Sequence, residues 1–166
     1  MEHARWIPAY VALGSNLDDP PAQVALALDA LERLRRSRLV ARSSMYRSAP
    51  LGPIAQPDFV NAVAGLLTML GAAELLVELK AIEARLGRER PVVRWGPRRI
   101  DLDLIAFGAE RIDEPELKVP HPGTAERAFV LVPLAEIAPG LDLPGLGRVA
   151  TLAAGADRSA LERIAA

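Results

Sequence analysis

The order of hydrophobic and polar positions switches repeatedly between a two-residue and a three-to-four-residue period. Ala9-Tyr10-Val11-Ala12-Leu13 is a short apolar run stopped by Gly14-Ser15-Asn16, and it predicts a buried strand. Val24, Leu28, Leu31 and Leu34 then recur at helical spacing and predict a helix reaching about Arg36. Asp18 or Asp19 suits its N-cap, Pro20 and Pro21 its first turn, and Arg33, Arg35 and Arg36 the negative end of its dipole. Leu39 to Arg47 alternates weakly, as a second strand would. From Ser48 to Asp58 the density of Pro50, Gly52, Pro53 and Pro57 forbids regular structure.

Phe59 to Leu70 reads as a third strand, with Phe59, Asn61, Val63, Gly65 and Leu67 on one face. Ala72 to Leu86 carries Leu75, Leu76, Leu79, Ile82 and Leu86 on a helical stripe closed by Gly87. A second irregular stretch, Arg88 to Arg99, leads into a strand from Ile100 to Phe107. Beyond a turn at Gly108 come short extended pieces and a helix from about Gly123 to Val132. The tail from Gly140 is rich in Gly, Leu and Ala and is expected to close with a short helix around Ala160. Strand–helix–strand occurs twice in series. That order predicts a ferredoxin-like α+β sandwich, an antiparallel sheet with two helices covering one face, plus extra C-terminal elements. No repeat or linker divides the chain, so a single domain over residues 1–166 is expected.

Composition narrows the partners. With 51% hydrophobic and 25% charged residues, the 166-residue chain has the make-up of a soluble globular protein. A net charge of −1 gives no general attraction to nucleic acid or anionic membranes, so any phosphate binding must come from local basic clusters. Cysteine is absent, which excludes disulfides, thiolate chemistry and Cys-ligated zinc. Only His3 and His121 are present, too few for a multi-histidine metal site. No apolar run approaches the ~20 residues that span a bilayer, and the N-terminus lacks a signal-peptide pattern. A cytoplasmic location is the expectation.

The chemistry concentrates in Arg94-Trp95-Gly96-Pro97-Arg98-Arg99-Ile100-Asp101-Leu102-Asp103-Leu104-Ile105. Along a strand, Asp101 and Asp103 share one face, while Ile100, Leu102 and Leu104 enter the core on the other. Two carboxylates roughly 7 Å apart at Cα repel each other unless a cation lies between them. Mg²⁺ suits such a pair, because it takes one or two carboxylates and completes its shell with water and phosphate oxygens. An edge strand with water-facing aspartates is the plainer alternative, but aspartate is a poor strand former. Arg88, Arg90, Arg94, Arg98 and Arg99 precede the pair, and guanidinium forks grip phosphate bidentately. Phe59 and Asn61 offer stacking and edge recognition to a flat heterocycle, though a core ring and a turn-stabilising amide would look the same. His121, between two prolines, could hydrogen-bond phosphate or a structural partner. Glu83 could accept from a ribose, or pair with Lys80, Arg85 or Arg88.

Taken together, these segments resemble the 6-hydroxymethyl-7,8-dihydropterin pyrophosphokinases, from about Ala9 to about Leu143. The most specific match is Arg94-x-Gly96-Pro97-Arg98-x-x-Asp101-Leu102-Asp103-Leu104-Ile105. Leu13-Gly14-Ser15-Asn16-Leu17, Pro50-Leu51-Gly52-Pro53, Gln56-Pro57-Asp58-Phe59-Val60-Asn61-Ala62 and Val119-Pro120-His121-Pro122 with Arg127 and Phe129 support it. The resemblance implies transfer of diphosphate from ATP to a pterin alcohol, giving AMP, by a monomer acting on small molecules alone, with neither nucleic acid nor membrane as partner. It implies two Mg²⁺ ions on Asp101 and Asp103, and Arg88 and Arg98 on the transferring group. His121 and Arg127 would contact phosphates, Glu83 the ribose, and Leu104 and Lys118 the adenine, with Lys80, Arg90 and Trp95 also on ATP. The pterin would stack between Phe59 and Phe129, read by Asn61 and by the backbone around Ser48, Ala49 and Leu51. The arginine loop and the Pro-rich loop would be mobile lids. The chain departs from the common family pattern in having Phe59 for tyrosine, Lys80 for glutamine, Pro91 for a basic residue, and Pro122 where an aromatic or longer side chain is usual.

Two other readings compete: a different Mg²⁺-dependent nucleotidyl or phosphoryl transferase, and a non-catalytic RNA-binding module on the same fold. The latter needs exposed aromatics and a basic surface, which 4% aromatic content and the net charge of −1 oppose.

Overall fold

The computed structural model describes residues 5–87 and 96–164. In chain order the first half forms β1 (Ile7–Ser15), α1 (Pro20–Glu32), β2 (Ser37–Arg42), β3 (Tyr46–Ser48), β4 (Phe59–Thr68) and α2 (Ala72–Arg85). The second half opens with β5 (Asp101–Phe107), the small hairpin β6 (Ile112–Asp113) and β7 (Lys118–Val119), and a 3₁₀ turn over Thr124–Glu126. It continues with α3 (Ala128–Ile137), the hairpin β8 (Asp142–Leu143) and β9 (Gly147–Arg148), α4 (Val149–Ala154) and β10 (Leu161–Arg163).

The main sheet has six strands in the order β10-β3-β4-β1-β5, with β2 also pairing β4, and every pairing is antiparallel. The two strand–helix–strand units interleave. The first steps over β4 and the second steps over β1, so β1 and β4 lie at the centre. One face is apolar along its length. Val11, Leu13, Ala62, Ala64, Leu66, Leu102 and Leu104 meet Val24, Leu28 and Leu31 of α1 and Leu75, Leu79 and Ile82 of α2. Ile100, Leu102 and Leu104 do enter this core, as the alternation predicts.

The opposite face is also covered, in part, by helices that the two-layer expectation leaves out. Val63, Ile105 and Ala106 pack against Val130 and Leu134 of α3 and Val149 of α4. The helix expected to stop at Val132 instead starts at Ala128 and runs through Pro133 to Ile137. A proline inside a helix costs ~3 kcal/mol, but each fully buried leucine returns about 1.5–3 kcal/mol. Leu131 and Leu134 are both fully buried, which is enough to offset it.

Three further boundaries differ from the sequence reading. The first helix ends at Glu32, because Arg36 adopts a left-handed φ of 51° and its carbonyl accepts the Met69 N–H. Asp19 is its N-cap residue, yet neither its own conformation (φ 62°) nor its side chain gives a capping hydrogen bond. The expected strand from Leu39 to Arg47 is two strands, broken at Ser43-Ser44-Met45. There Glu136 of α3 accepts the Ser44 N–H at 2.6 Å and the Tyr46 hydroxyl at 2.8 Å. The tail around Ala160 is not helical; residues 161–163 add a strand to β3.

Candidate active site

The uncovered end of the second face becomes a pocket of about 620 Å³. Strand register builds its floor. Gly14 of β1 stands opposite Asn61 on β4 and opposite Asp101 on β5, and Ala12 stands between Val63 and Asp103 in the same way. Two strand spacings therefore separate Asn61 from Asp101, about 10 Å at Cα. The two smallest side chains of β1 leave the space between them open. A Cβ on Gly14 would lie 3.4 Å from Asn61 Oδ1 and 3.8 Å from a Phe59 ring carbon, ordinary contacts that would nonetheless fill the floor between them.

At one end, β3 and β4 present Ser48, Phe59 and Asn61. The Asn61 amide donates to Ser48 Oγ at 2.7 Å and to the Tyr46 carbonyl at 3.3 Å. Its donors are thus held by protein, and its carbonyl oxygen is the edge that remains toward Gly14 and the pocket. Phe129, from the first turn of α3, lines the same space as Phe59, Ala49 and Leu51. The Arg127 guanidinium carbon lies 5.9 Å from the Phe129 ring centroid. Gly123 has a φ of 83°, and a Cβ there would approach Arg127 Nε to 3.1 Å, so glycine both makes the turn and admits the arginine.

At the other end, Asp101 and Asp103 face the pocket from β5. The register of β5 against β1 skips Ile105, and the Ile105 carbonyl accepts the His121 N–H at 3.1 Å. That bulge brings His121 beside the acidic pair, with Nε2 3.8 Å from Asp103 Oδ1. His121 Nδ1 lies 2.8 Å from the Pro122 carbonyl, which can only accept. In the neutral ring the proton is therefore on Nδ1, and Nε2 turns its lone pair toward the pocket. Burial first, and then the Arg127 charge, lower the His121 pKa, against the opposing pull of the Pro122 carbonyl and Asp101.

Glu83 is buried on α2, and its Oε2 accepts the Leu102 N–H at 2.8 Å, tying the helix to the acidic strand. Lys118 lines the pocket wall while its ammonium pairs with Asp113 at 2.7 Å across the small hairpin. Lys80, Arg98 and Leu104 also line this pocket, whereas Arg99, expected among the phosphate-gripping arginines, does not: its guanidinium is held by Asp18 and the Gly87 carbonyl. Arg88, Arg90, Pro91, Arg94 and Trp95 lie outside the described residues. Leu76, Glu116 and Leu117 also line the pocket and were missed. Leu76 sits on the predicted helical stripe, but nothing in the pattern marks the hairpin tip as part of a site.

Among the described residues no group of three or more His, Asp or Glu side chains could cage a metal. The donor set fits Mg²⁺ all the same: two hard carboxylates on one strand face, Asp103 being 36% exposed at its side chain, with pocket space for water and phosphate oxygens.

The sequence profile of the 7,8-dihydro-6-hydroxymethylpterin-pyrophosphokinase family matches residues 10–139. The chain is 52% identical over 155 residues to the 2-amino-4-hydroxy-6-hydroxymethyldihydropteridine pyrophosphokinase of Pseudomonas aeruginosa, covering 93% of this chain and 95% of the relative. It is 50% identical over 138 residues to the enzyme of the same name from Haemophilus influenzae, covering 83% and 86%. A crystal structure of Plasmodium falciparum HPPK-DHPS shares the fold at a TM-score of 0.72 and 16% identity, over 92% of this chain. The match spans only 44% of that longer chain. The profile match and the two bacterial relatives establish that the chain belongs to the 7,8-dihydro-6-hydroxymethylpterin-pyrophosphokinase family.

Proposed function

We propose that ATP and 6-hydroxymethyl-7,8-dihydropterin meet in this pocket, with ATP's polyphosphate over Asp101 and Asp103 and the pterin between Phe59 and Phe129. Family membership gives the reaction: diphosphate moves from ATP to the pterin hydroxymethyl group, in folate biosynthesis, and AMP is released. The observation that supports the siting is the register Asn61–Gly14–Asp101, which sets the Asn61 amide and the Asp101 carboxylate about 10 Å apart on one open floor, a spacing that suits a heterocycle at one end and a metal-bound polyphosphate at the other.

In this reading the hydroxymethyl oxygen attacks the β-phosphorus in line, the bond from that phosphorus to the α,β-bridging oxygen breaks, and AMP departs. Such transfers depend on positioning and charge neutralisation more than on a protein nucleophile, which suits a chain without cysteine. Asp101 and Asp103 would hold two Mg²⁺ ions, whose chemistry is to neutralise the phosphate oxygens. Arg98 and Arg127 would orient the transferring group, Glu83 would reach the ribose, and Leu104, Lys80 and Lys118 would border the base. Arg88 keeps its place on the transferring group, and Arg90 and Trp95 their nucleotide roles, as the family resemblance implies. Asn61 would accept from the pterin edge, beside Ser48, Ala49 and Leu51. The strand order and the two interleaved crossovers support naming the architecture a ferredoxin-like sandwich in one domain. A monomer is what the family resemblance implies, and the net charge of −1 supports small-molecule substrates over nucleic acid.

The test is product analysis. Protein, ATP, Mg²⁺ and 6-hydroxymethyl-7,8-dihydropterin are expected to give AMP and the pterin diphosphate in equal amounts. Release of ADP would point to the competing phosphoryl-transferase reading, and saturable RNA binding without Mg-ATP binding to the non-catalytic one.

A further inference from the structure

The turn after β1 has been given no contact with either substrate, yet it holds both sides of the pocket. Asn16 is 2% exposed. Its Nδ2 donates to Gln56 Oε1 and to the Pro57 carbonyl, each at 2.9 Å. Its Oδ1 accepts the Arg98 N–H at 2.8 Å, and its own N–H donates to the Arg98 carbonyl at 2.9 Å. Gln56 and Pro57 lead directly into Phe59, on the pterin side, and Arg98 leads into Asp101, on the nucleotide side. A second tie runs beside the first: Arg99 Nε donates to Asp18 at 2.7 Å, and its Nη1 donates to the Gly87 carbonyl at 3.2 Å.

A primary amide can donate twice and accept at once, which neither a hydroxyl nor a carboxylate of similar size can do. Because the amide is buried, withdrawing either segment would strand polar groups away from water. The arrangement of the Pro-rich segment that seats Phe59 and the arrangement that seats Arg98 are therefore favoured together. Resting on the activity proposed above, we propose that Asn16 is a positioning residue that couples the two substrate sides, so that filling one side tightens binding on the other. Linkage makes that coupling equal in both directions.

The experiment measures binding of the pterin alcohol to the full chain by calorimetry, with and without Mg²⁺ and a non-hydrolysable ATP analogue. The analogue is expected to tighten pterin binding by at least about fivefold in the wild type, and by less than about twofold in Asn16→Ala. Gln56→Ala, which removes one of the two acceptors on the Pro-rich segment, should fall between them. A purely structural asparagine would lower the melting temperature of the variant and leave the ratio of the two affinities where it was. A folded Asn16→Ala protein with the wild-type ratio, or a wild-type ratio of one, overturns the inference. Where Asn16→Ala does not fold, an unchanged ratio in Gln56→Ala overturns it by itself. AMP formation by the wild type is assayed alongside. Its absence would sink the activity and the coupling together, whereas an active enzyme with unaltered coupling in the variants sinks only the coupling.

Discussion

The two faces of the central strands differ although the same residues' neighbours build both. Toward α1 and α2, β1, β4 and β5 present Val11, Leu13, Ala62, Ala64, Leu102 and Leu104, an unbroken apolar surface. Toward α3, the same strands present Tyr10, Val63 and Ile105 under the helix, and then Gly14, Asn61, Asp101 and Asp103 where the helix ends. One face spends every position on burial. The other stops partway and leaves three polar side chains on a floor kept low by glycine and alanine. Stability and chemistry are thus divided by the two-residue period of a strand, and mutations on the two faces should separate them.

The largest expected effect is on the chemical face. Asp101→Ala or Asp103→Ala should lower kcat by about 100-fold or more while the melting temperature stays within a few degrees of the wild type. Steady-state AMP production and a thermal melt check this; near-wild-type turnover in either variant would remove the metal assignment. The opposite face should show the reverse. Leu79, fully buried on α2, touches only the apolar layer, and Leu79→Ala should destabilise by about 2–5 kcal/mol. Chemical denaturation measures the loss, and kcat per folded molecule at low temperature should hardly change. A large fall in kcat there would erase the distinction between the faces.

Two smaller changes sharpen the comparison. Gly14→Ala adds one carbon to the floor against Asn61 and Phe59, and should weaken pterin binding by about tenfold, about 1.4 kcal/mol, with ATP-analogue affinity changed far less. Equal losses for both ligands would argue that the whole floor had shifted. Glu136, at the far end of α3, should report on stability alone. Burial opposes ionisation of its carboxyl, but hydrogen bonds from Tyr46 and Ser44 outweigh this and hold its pKa below the usual range. Its stabilisation is therefore present above the unfolded value, about pH 4.3, and is lost as pH falls through the lower folded value. Glu136→Gln should cost no more than about 1 kcal/mol near neutrality, given its solvent exposure, and the gap from wild type should shrink in acid. Melts at a series of pH values would show a constant gap if the hydrogen bonds, and not the charge, mattered.

Local signals account for what the sequence made legible. The alternation of Asp101 and Asp103 with Ile100, Leu102 and Leu104 is complete within one strand, and the stripe of α2 with its closing Gly87 is complete within one helix. Phe59 and Asn61 share a strand face for the same reason, and both line the pocket. The parts that were not legible depend on distant partners. The break at Ser43-Ser44-Met45 is set by Glu136, and no residue near it announces a turn. Pro133 reads as a helix end until one knows that Leu131 and Leu134 are fully buried, Leu134 against the sheet and Val149 of α4. Residues 161–163 become a strand only because β3 offers an open edge. Asn16 was visible as part of a motif, but its two attachments lie 40 and 82 residues away, and its use as a junction follows from the fold alone.

The pairing of β10 with β3 bears on how the molecule is made. Leu161 stands opposite Ser48, which lines the pocket beside Phe59 and Asn61, although more than a hundred residues separate them in the chain. During synthesis the central strands and both helices of the apolar face are available long before residue 161 leaves the ribosome. The end of the pocket that holds Asp101 and Asp103 can therefore take shape first, while the strand that carries Ser48 still has a bare edge. A nascent chain would acquire its site in two instalments, and the end that holds Ser48 would be the later one.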